Sequence, residues 1–197
     1  EPHWYSTIFP WYVISSVFVS GVALLTLILL WMRRGGRFVE VNAHHLHDLG
    51  KYVFAFSFFW GYIWFSQFLL IWYANIGEEA VYYVARMREG WYPLFLLDVG
   101  INFLLPFVIL LPAKTKQNPT VLGGVSLLVL LGHWLDFYLL VMPATMKGAP
   151  VFGWIEVAIF LGVGALFLLF CDRGLRRAAL LPSRDPLFAE SVHHHES

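Results

Sequence analysis

The chain has 197 residues, 59% of them hydrophobic and 18% aromatic, against only 13% charged. Soluble domains average about 45–50% apolar and roughly 25% charged residues, so this excess of apolar surface, with a mean hydropathy of +0.66, points to lipid as the solvent. A formal net charge of zero gives no basis for nucleic-acid binding, and the single cysteine, Cys171, excludes an internal disulfide or a thiolate cluster.

The chain opens at Glu1 with "EPHWYSTIFPWY", which lacks the basic region of a signal peptide. A processed N-terminus or a piece of a longer polypeptide is therefore expected. A membrane-crossing helix needs about 20 mostly apolar residues. Five stretches qualify: 11–32, 52–73, 93–111, 120–142 and 151–170. Gly35-Gly36, Gly77, Pro112, Pro119, Pro143 and Pro150 separate them. Helices are expected because lipid offers backbone groups no hydrogen-bond partner, and the strict alternation of a barrel is missing. The fold class is thus an all-α, polytopic transmembrane bundle over 1–175, followed by a cytoplasmic tail over 176–197.

Before the second span stands "NAHHLHDLGK". Asp48 reads as its N-cap, where the helix dipole favours a negative group. His44 and His47 are three residues apart, a spacing that permits a shared metal on one helical turn. No Cys, His or carboxylate follows at zinc-like spacing, so a solvated helix start is the simpler reading and proton collection by His44, His47 and Asp48 the functional one. No metal site is expected. The stripe Trp60, Trp64, Phe68 and Trp72 reads as a face toward lipid or a partner. Between spans two and three, "GEEAVYYVARMREGW" places Val81, Val84, Ala85 and Arg88 at helical spacing, a short interfacial helix capped by Gly90.

Ionisable groups inside a span are costly and usually functional. The third span carries Asp98, with Asn102 one turn on. The fourth carries His133 and Asp136, three residues apart and so on one face, and the fifth carries Glu156. Gln67 in the second span adds an uncharged hydrogen-bonding group. Asp98, Asp136 and Glu156 each fall within about 10 Å of the same end of their spans, which argues for one polar site. Against this, Asp98 and Glu156 could snorkel, Gln67 could be packing glue, and His133–Asp136 could be a satisfied interhelical pair. A bis-histidine haem has no partner for His133 at matching depth. His193, His194 and His195 read as a solvated tail.

Lys and Arg set the orientation. With the N-terminus outside, ten of them (Arg33, Arg34, Arg37, Lys51, Lys114, Lys116, Arg173, Arg176, Arg177 and Arg184) share one side, against Arg86, Arg88 and Lys147 on the other. The C-terminus is then cytoplasmic.

The segments "PHWYSTIF", "HDLGKYVFAFSFFWGYIWFSQFLLIWYANIGEE", "GHWLDFYLLVMPA" and "RDPLFAES" resemble the NrfD-like, polysulfide-reductase-type membrane subunit of bacterial alternative complex III. The likeness is to its second quinone-binding-type subunit, and the chain is similar to the C-terminal half of relatives with about twice as many spans. The resemblance implies a subunit of a quinol:electron-acceptor oxidoreductase, with cytochrome c or a similar acceptor, in the bacterial cytoplasmic membrane. Partners would be a second NrfD-like subunit, an iron–sulfur subunit and multihaem cytochrome c subunits. Haem c and iron–sulfur clusters would sit on those partners, leaving this chain without cofactor ligands of its own, although menaquinone or ubiquinone could bind. It further implies a proton pathway through Asp98, His133, Asp136 and Glu156. Gln67, Asn102 and Trp134 would give polar or quinone support, with Trp134 and Phe137 lining a slot. An assembly scaffold without proton transfer, and half of a secondary transporter, are the alternatives from other classes.

The orientation is directly testable. In a Cys171→Ser background, Lys147→Cys should react with an impermeant maleimide added outside and Arg184→Cys only after the cytoplasmic face is opened.

Overall fold

The computed structural model describes residues 6–38, 40–88, 90–146, 148–177, 181 and 186–192. Lys147, Arg184 and the histidines 193–195 lie outside them. The described residues form helices without a strand, and five helical stretches are long and apolar enough to cross a membrane. The protein is a multi-pass helical membrane bundle.

The crossing helices are α1 (Phe9–Arg34), α2 (Ala43–Ala74), a composite third span, α7 (Pro119–Thr145) and α8 (Trp154–Arg177). Short α3 (Gly77–Arg86) follows α2, and α6 (Ala113–Gln117) precedes α7. A last short helix, α9, spans Phe188–Val192. α1 has Pro10 in its first turn and Arg33 and Arg34 in its last, both suited to the free N–H groups and the dipole of a helix. It stops at the Gly35-Gly36 pair, where Gly36 takes φ +75°.

α2 begins nine residues earlier than its apolar run. Its N-cap is Asn42, whose side chain accepts from the His44 and His45 amides while the His45 ring takes the Asn42 N–H, a reciprocal capping box. Asp48 is therefore not the cap. It stands in the second turn, paired with Lys51 at 3.0 Å. Asn75 closes α2 in the left-handed conformation at φ +50°.

The third span is not one α-helix. α4 (Tyr92–Val99) passes into a π-turn over Gly100–Leu104 and then α5 (Leu105–Leu110). The Leu105 amide reaches the Gly100 carbonyl, five residues back. Pro106 follows immediately. A proline ring crowds the carbonyl four residues before it, here that of Asn102, and the widened turn makes room for it. α7 is capped by Asn118, which accepts from the Thr120 and Val121 amides. Pro119 takes the first position of this helix. Pro143 does not end it, because losing one amide only weakens the last turn. Arg86 from α3 donates to the neighbouring Leu140 carbonyl at 3.0 Å.

α7 is the central strut and meets every helical element from α1 to α6. At the α6 end, Val19, Ala23, Leu46, Val53, Leu110, Leu122, Val125 and Val129 make an apolar plug. Lys116 closes that end by donating to the Leu110 and Leu111 carbonyls at 2.7 and 3.1 Å. Burial, and then the Lys51 ammonium, lower its pKa. At the α3 end the filling is aromatic: Ile71, Tyr82, Tyr83 and Phe95 pack together. α3 presents Tyr82, Tyr83 and Arg86 to the bundle, while Val81 and Val84 are about half exposed. Met87, not Gly90, is its C-cap; Gly90, at φ +87°, instead turns the chain into α4.

The tryptophan stripe is divided. Trp60 is fully buried and Trp72 is 67% exposed. At 100° per residue, a four-residue step drifts about 40°, so a stripe twelve residues long turns from core to lipid. α8 lies on the outside of the bundle, with no buried residue.

Close approach of the helices depends on glycine at two places. A Cβ on Gly61 would sit 2.4 Å from the Phe103 ring, and one on Gly132 2.2 Å from Asn102 Oδ1. Gly61→Ala should therefore destabilise the bundle by about 1–3 kcal/mol through overpacking. Gly124→Ala, with nothing near its Cβ, should be neutral or slightly stabilising. Unfolding in mixed micelles followed by tryptophan fluorescence would compare the two.

Candidate functional site

Most of the buried polar side chains gather in the half of the bundle beneath α3. Asp136 is the hub, 1% exposed. Its Oδ1 accepts from the Tyr12 hydroxyl. Its Oδ2 accepts from Ser16 Oγ at 3.0 Å and faces His133 Nδ1 at 3.4 Å. Tyr12 and Ser16 are one turn apart on α1, and His133 and Asp136 share a face of α7, so two helices wrap one carboxyl group. The arrangement follows from the periodicity of both helices.

Asp98 and Asn102 stand opposite, where α4 enters the π-turn. Asn102 Nδ2 donates to Asp98 Oδ1 at 2.7 Å, and both residues are buried. The π-turn and Gly132 together let Asn102 press against the α7 backbone. Trp60 packs against the Asp136 group: its ring meets Tyr12 at 5.7 Å and stands edge-on to His133 at 5.4 Å. Several polar atoms here have no hydrogen-bond partner among the described residues. They are His133 Nε2, Asn102 Oδ1, Trp60 Nε1 and Gln67 Nε2. Gln67 lies seven residues beyond Trp60 on α2, hence on nearly the same face. In a dry apolar interior each such atom would be expensive, so this is the part of the bundle whose chemistry favours water or a polar ligand.

α3 covers the cluster. Arg86 is 1% exposed, lies over the Tyr82 ring at 3.4 Å, and donates to the Tyr82 carbonyl at 2.6 Å. Burial, with Tyr82 beside it, pushes the Tyr83 phenol well above its ordinary pKa, and Arg86 acts in the opposite direction.

Asp98, His133, Asp136, Asn102 and Gln67 thus sit in one half of the bundle. Glu156 does not join them. It caps the first turn of α8, accepting the Gly153 amide at 2.9 Å. Trp134 also points elsewhere, packing on Tyr138, Phe152 and Phe160. With Phe137, Tyr138 and Glu156 it lines a lipid-facing groove of about 480 Å³ between α7 and α8. The slot walls Trp134 and Phe137 therefore occupy a different face of α7 from His133 and Asp136. His44, His47 and Asp48 are at the far end of α2: His47 is thirteen residues from Trp60, about 20 Å along the helix. Among the described residues no cluster of three or more His, Cys, Asp or Glu could hold a metal.

Tyr12, Ser16 and Arg86 were not singled out by the sequence. A tyrosine and a serine near a span end look like ordinary interfacial residues, and Arg86 entered only the count of basic residues that sets the orientation. The available signal was spacing: Tyr12 and Ser16 are four apart at the same end of their helix as Asp136.

The sequence model of the family described as Polysulphide reductase, NrfD, matches residues 1–149. The chain belongs to the NrfD family. Members of this family are transmembrane proteins, generally the quinone-interacting subunits of redox complexes, and they partner with iron–sulfur and other redox subunits. The match includes the whole polar cluster from Tyr12 to Asp136 and stops before α8 and Glu156. Among curated proteins none matches the chain.

Hydrogen bonds between helices in lipid are worth about 0.6 kcal/mol on average and about 1.7 at most. A double-mutant cycle of Tyr12→Phe with Asp136→Asn should return a coupling energy in that range. The same cycle on Glu156→Gln and Asp136→Asn should return none.

Proposed function

We propose that this chain is a proton-conducting, non-redox subunit of a quinol:electron-acceptor oxidoreductase of the alternative complex III type, and that it supplies the outer half of a proton path. The observation behind this reading is the Asp136 carboxyl group, buried within a membrane bundle and contacted by Tyr12, Ser16 and His133. Carboxyl, imidazole and hydroxyl groups within one or two hydrogen-bond lengths can pass a proton when burial and neighbours bring their pKa values together. Asp98 and Asn102 extend the chain across the bundle, and water at the unpartnered edges of His133, Asn102 and Gln67 would complete it. Below His133 the core is Val129, Val125 and Leu122, with only the Ser57 and Ser126 hydroxyls unpartnered. That supports a half-path in this chain and a continuation elsewhere in the complex. Haem c and iron–sulfur clusters belong, in this reading, to partner subunits, with a second NrfD-like subunit beside this one. The membrane is the bacterial cytoplasmic membrane, the N-terminus outside and the C-terminus in the cytoplasm.

The groove between α7 and α8 favours a second reading, in which this chain binds the quinone. Trp134 and Phe137 would hold the ring, and Glu156 and Tyr138 would be the polar groups at its edge. An azido-quinone photolabelling peptides of α7 and α8 in the intact complex, competed by a quinol-site inhibitor, would support it.

The proton reading makes a separate prediction. In the complex reconstituted into liposomes and supplied with quinol, Asp136→Asn should reduce proton release outside without changing subunit or haem content. Gln67→Leu should show a smaller reduction. Unchanged proton stoichiometry in Asp136→Asn would leave the subunit as a scaffold.

A further inference from the structure

α8 is 24 residues long, none of them buried, and so about 36 Å of apolar helix stands beside the bundle. Between its second half and α1 runs a groove of about 740 Å³. Leu24, Leu27 and Ile28 form one wall and Ala165, Leu168 and Leu169 the other. Trp31 and Arg37 stand at its mouth on the α1 side, Asp172 on the α8 side. From Leu24 to Trp31 the groove descends about 10 Å, roughly two-thirds of one leaflet of a hydrocarbon core about 30 Å thick.

We propose that this groove binds one acyl chain of an anionic glycerophospholipid, with the phosphate held by Arg37. Three features select that occupant. The walls are aliphatic for the depth of a single leaflet, which suits an acyl chain better than a crossing helix. The mouth is cationic: Arg37 lines it, Arg33, Arg34, Arg176 and Arg177 belong to the last turns of the two helices that form it, and the acid there, Asp172, is already engaged by Arg176 at 2.8 Å. Arg37 is exposed and makes no ion pair among the described residues. Trp31, 66% exposed, sits where an indole favours the headgroup boundary. Basic pockets between helices at the positive side of a membrane protein suit anionic headgroups. The lipid would then fill the space that no side chain of α8 fills, and hold α8 against α1.

The test uses the intact complex in mild detergent, with bound lipid counted by native mass spectrometry during titration with phosphatidylglycerol or phosphatidylcholine. Wild type should retain phosphatidylglycerol in preference to phosphatidylcholine. Arg37→Gln, a surface change that does not threaten the fold, should weaken phosphatidylglycerol retention about fivefold, the worth of one arginine near a charged surface. Ala165→Trp should fill the groove and abolish retention, while Leu25→Trp, on an exposed part of α1, should not. Equal retention of both lipids, or retention untouched by Arg37→Gln and Ala165→Trp, would overturn the proposal. So would a photoreactive group at Leu168 crosslinking to a protein helix rather than to lipid.

Discussion

Lipid supplies no hydrogen bonds, and that constraint organises this molecule. A polar group carried into the bundle is costly unless it finds a partner on another helix, on its own backbone or in enclosed water. Asp136 shows the consequence most fully. Both of its oxygens are engaged, by side chains from α1 and from its own helix. The helices that meet around α7 are therefore fixed in rotation by polar contacts, and their apolar faces only have to fill the remaining space. At the α6 end the same rule acts on the backbone, where Lys116 takes the carbonyls that α5 leaves free.

Two irregularities make the polar half work. The π-turn widens the third span just ahead of Pro106, and glycine at position 132 lets Asn102 touch the α7 backbone. A π-turn inside an α-helix often marks a functional position, and here it carries a side chain of the cluster. Pro143 is the second case. Its missing amide loosens the end of α7, and Arg86 reaches a carbonyl of that turn from α3. The short interfacial helix is thus held by a cation bonded to backbone as well as by its tyrosines. The polar half closes at α3 and the apolar half at α6, which gives the bundle two ends of different chemistry.

The spans were legible because composition and length alone define them, and Asp98–Asn102 and His133–Asp136 were legible because both pairs lie within one helical turn. What composition could not give was which helices are neighbours. Glu156 seemed to belong with the other acids because depth was the only coordinate available, yet α8 stands outside the group that meets around α7. Tyr12 and Ser16 were hidden for the converse reason: their side chains are unremarkable until another helix brings a carboxyl group. The start of α2 was misplaced because an aspartate near a hydrophobic run looks like a cap, whereas Asn42 with His45 makes the better one. The π-turn left no pattern in the apolar periodicity that could have announced it.

The hydroxyls of α1 have a bearing on biogenesis. Tyr12 and Asp136 are 124 residues apart in the chain. At about 5–20 residues per second of synthesis, α1 waits on the order of ten seconds in the membrane before its acid is made. During that wait Ser15, Ser20 and Thr26 can each bond to a carbonyl of their own helix, as they do in the finished protein, and Ser16 can use the Tyr12 carbonyl until Asp136 is there to accept its hydrogen bond. Only the Tyr12 phenol has to be tolerated, and it lies at the end of the helix nearest water. Helix α1 can thus precede its acid, and the acidic member of the pair arrives later, into surroundings already prepared to receive it.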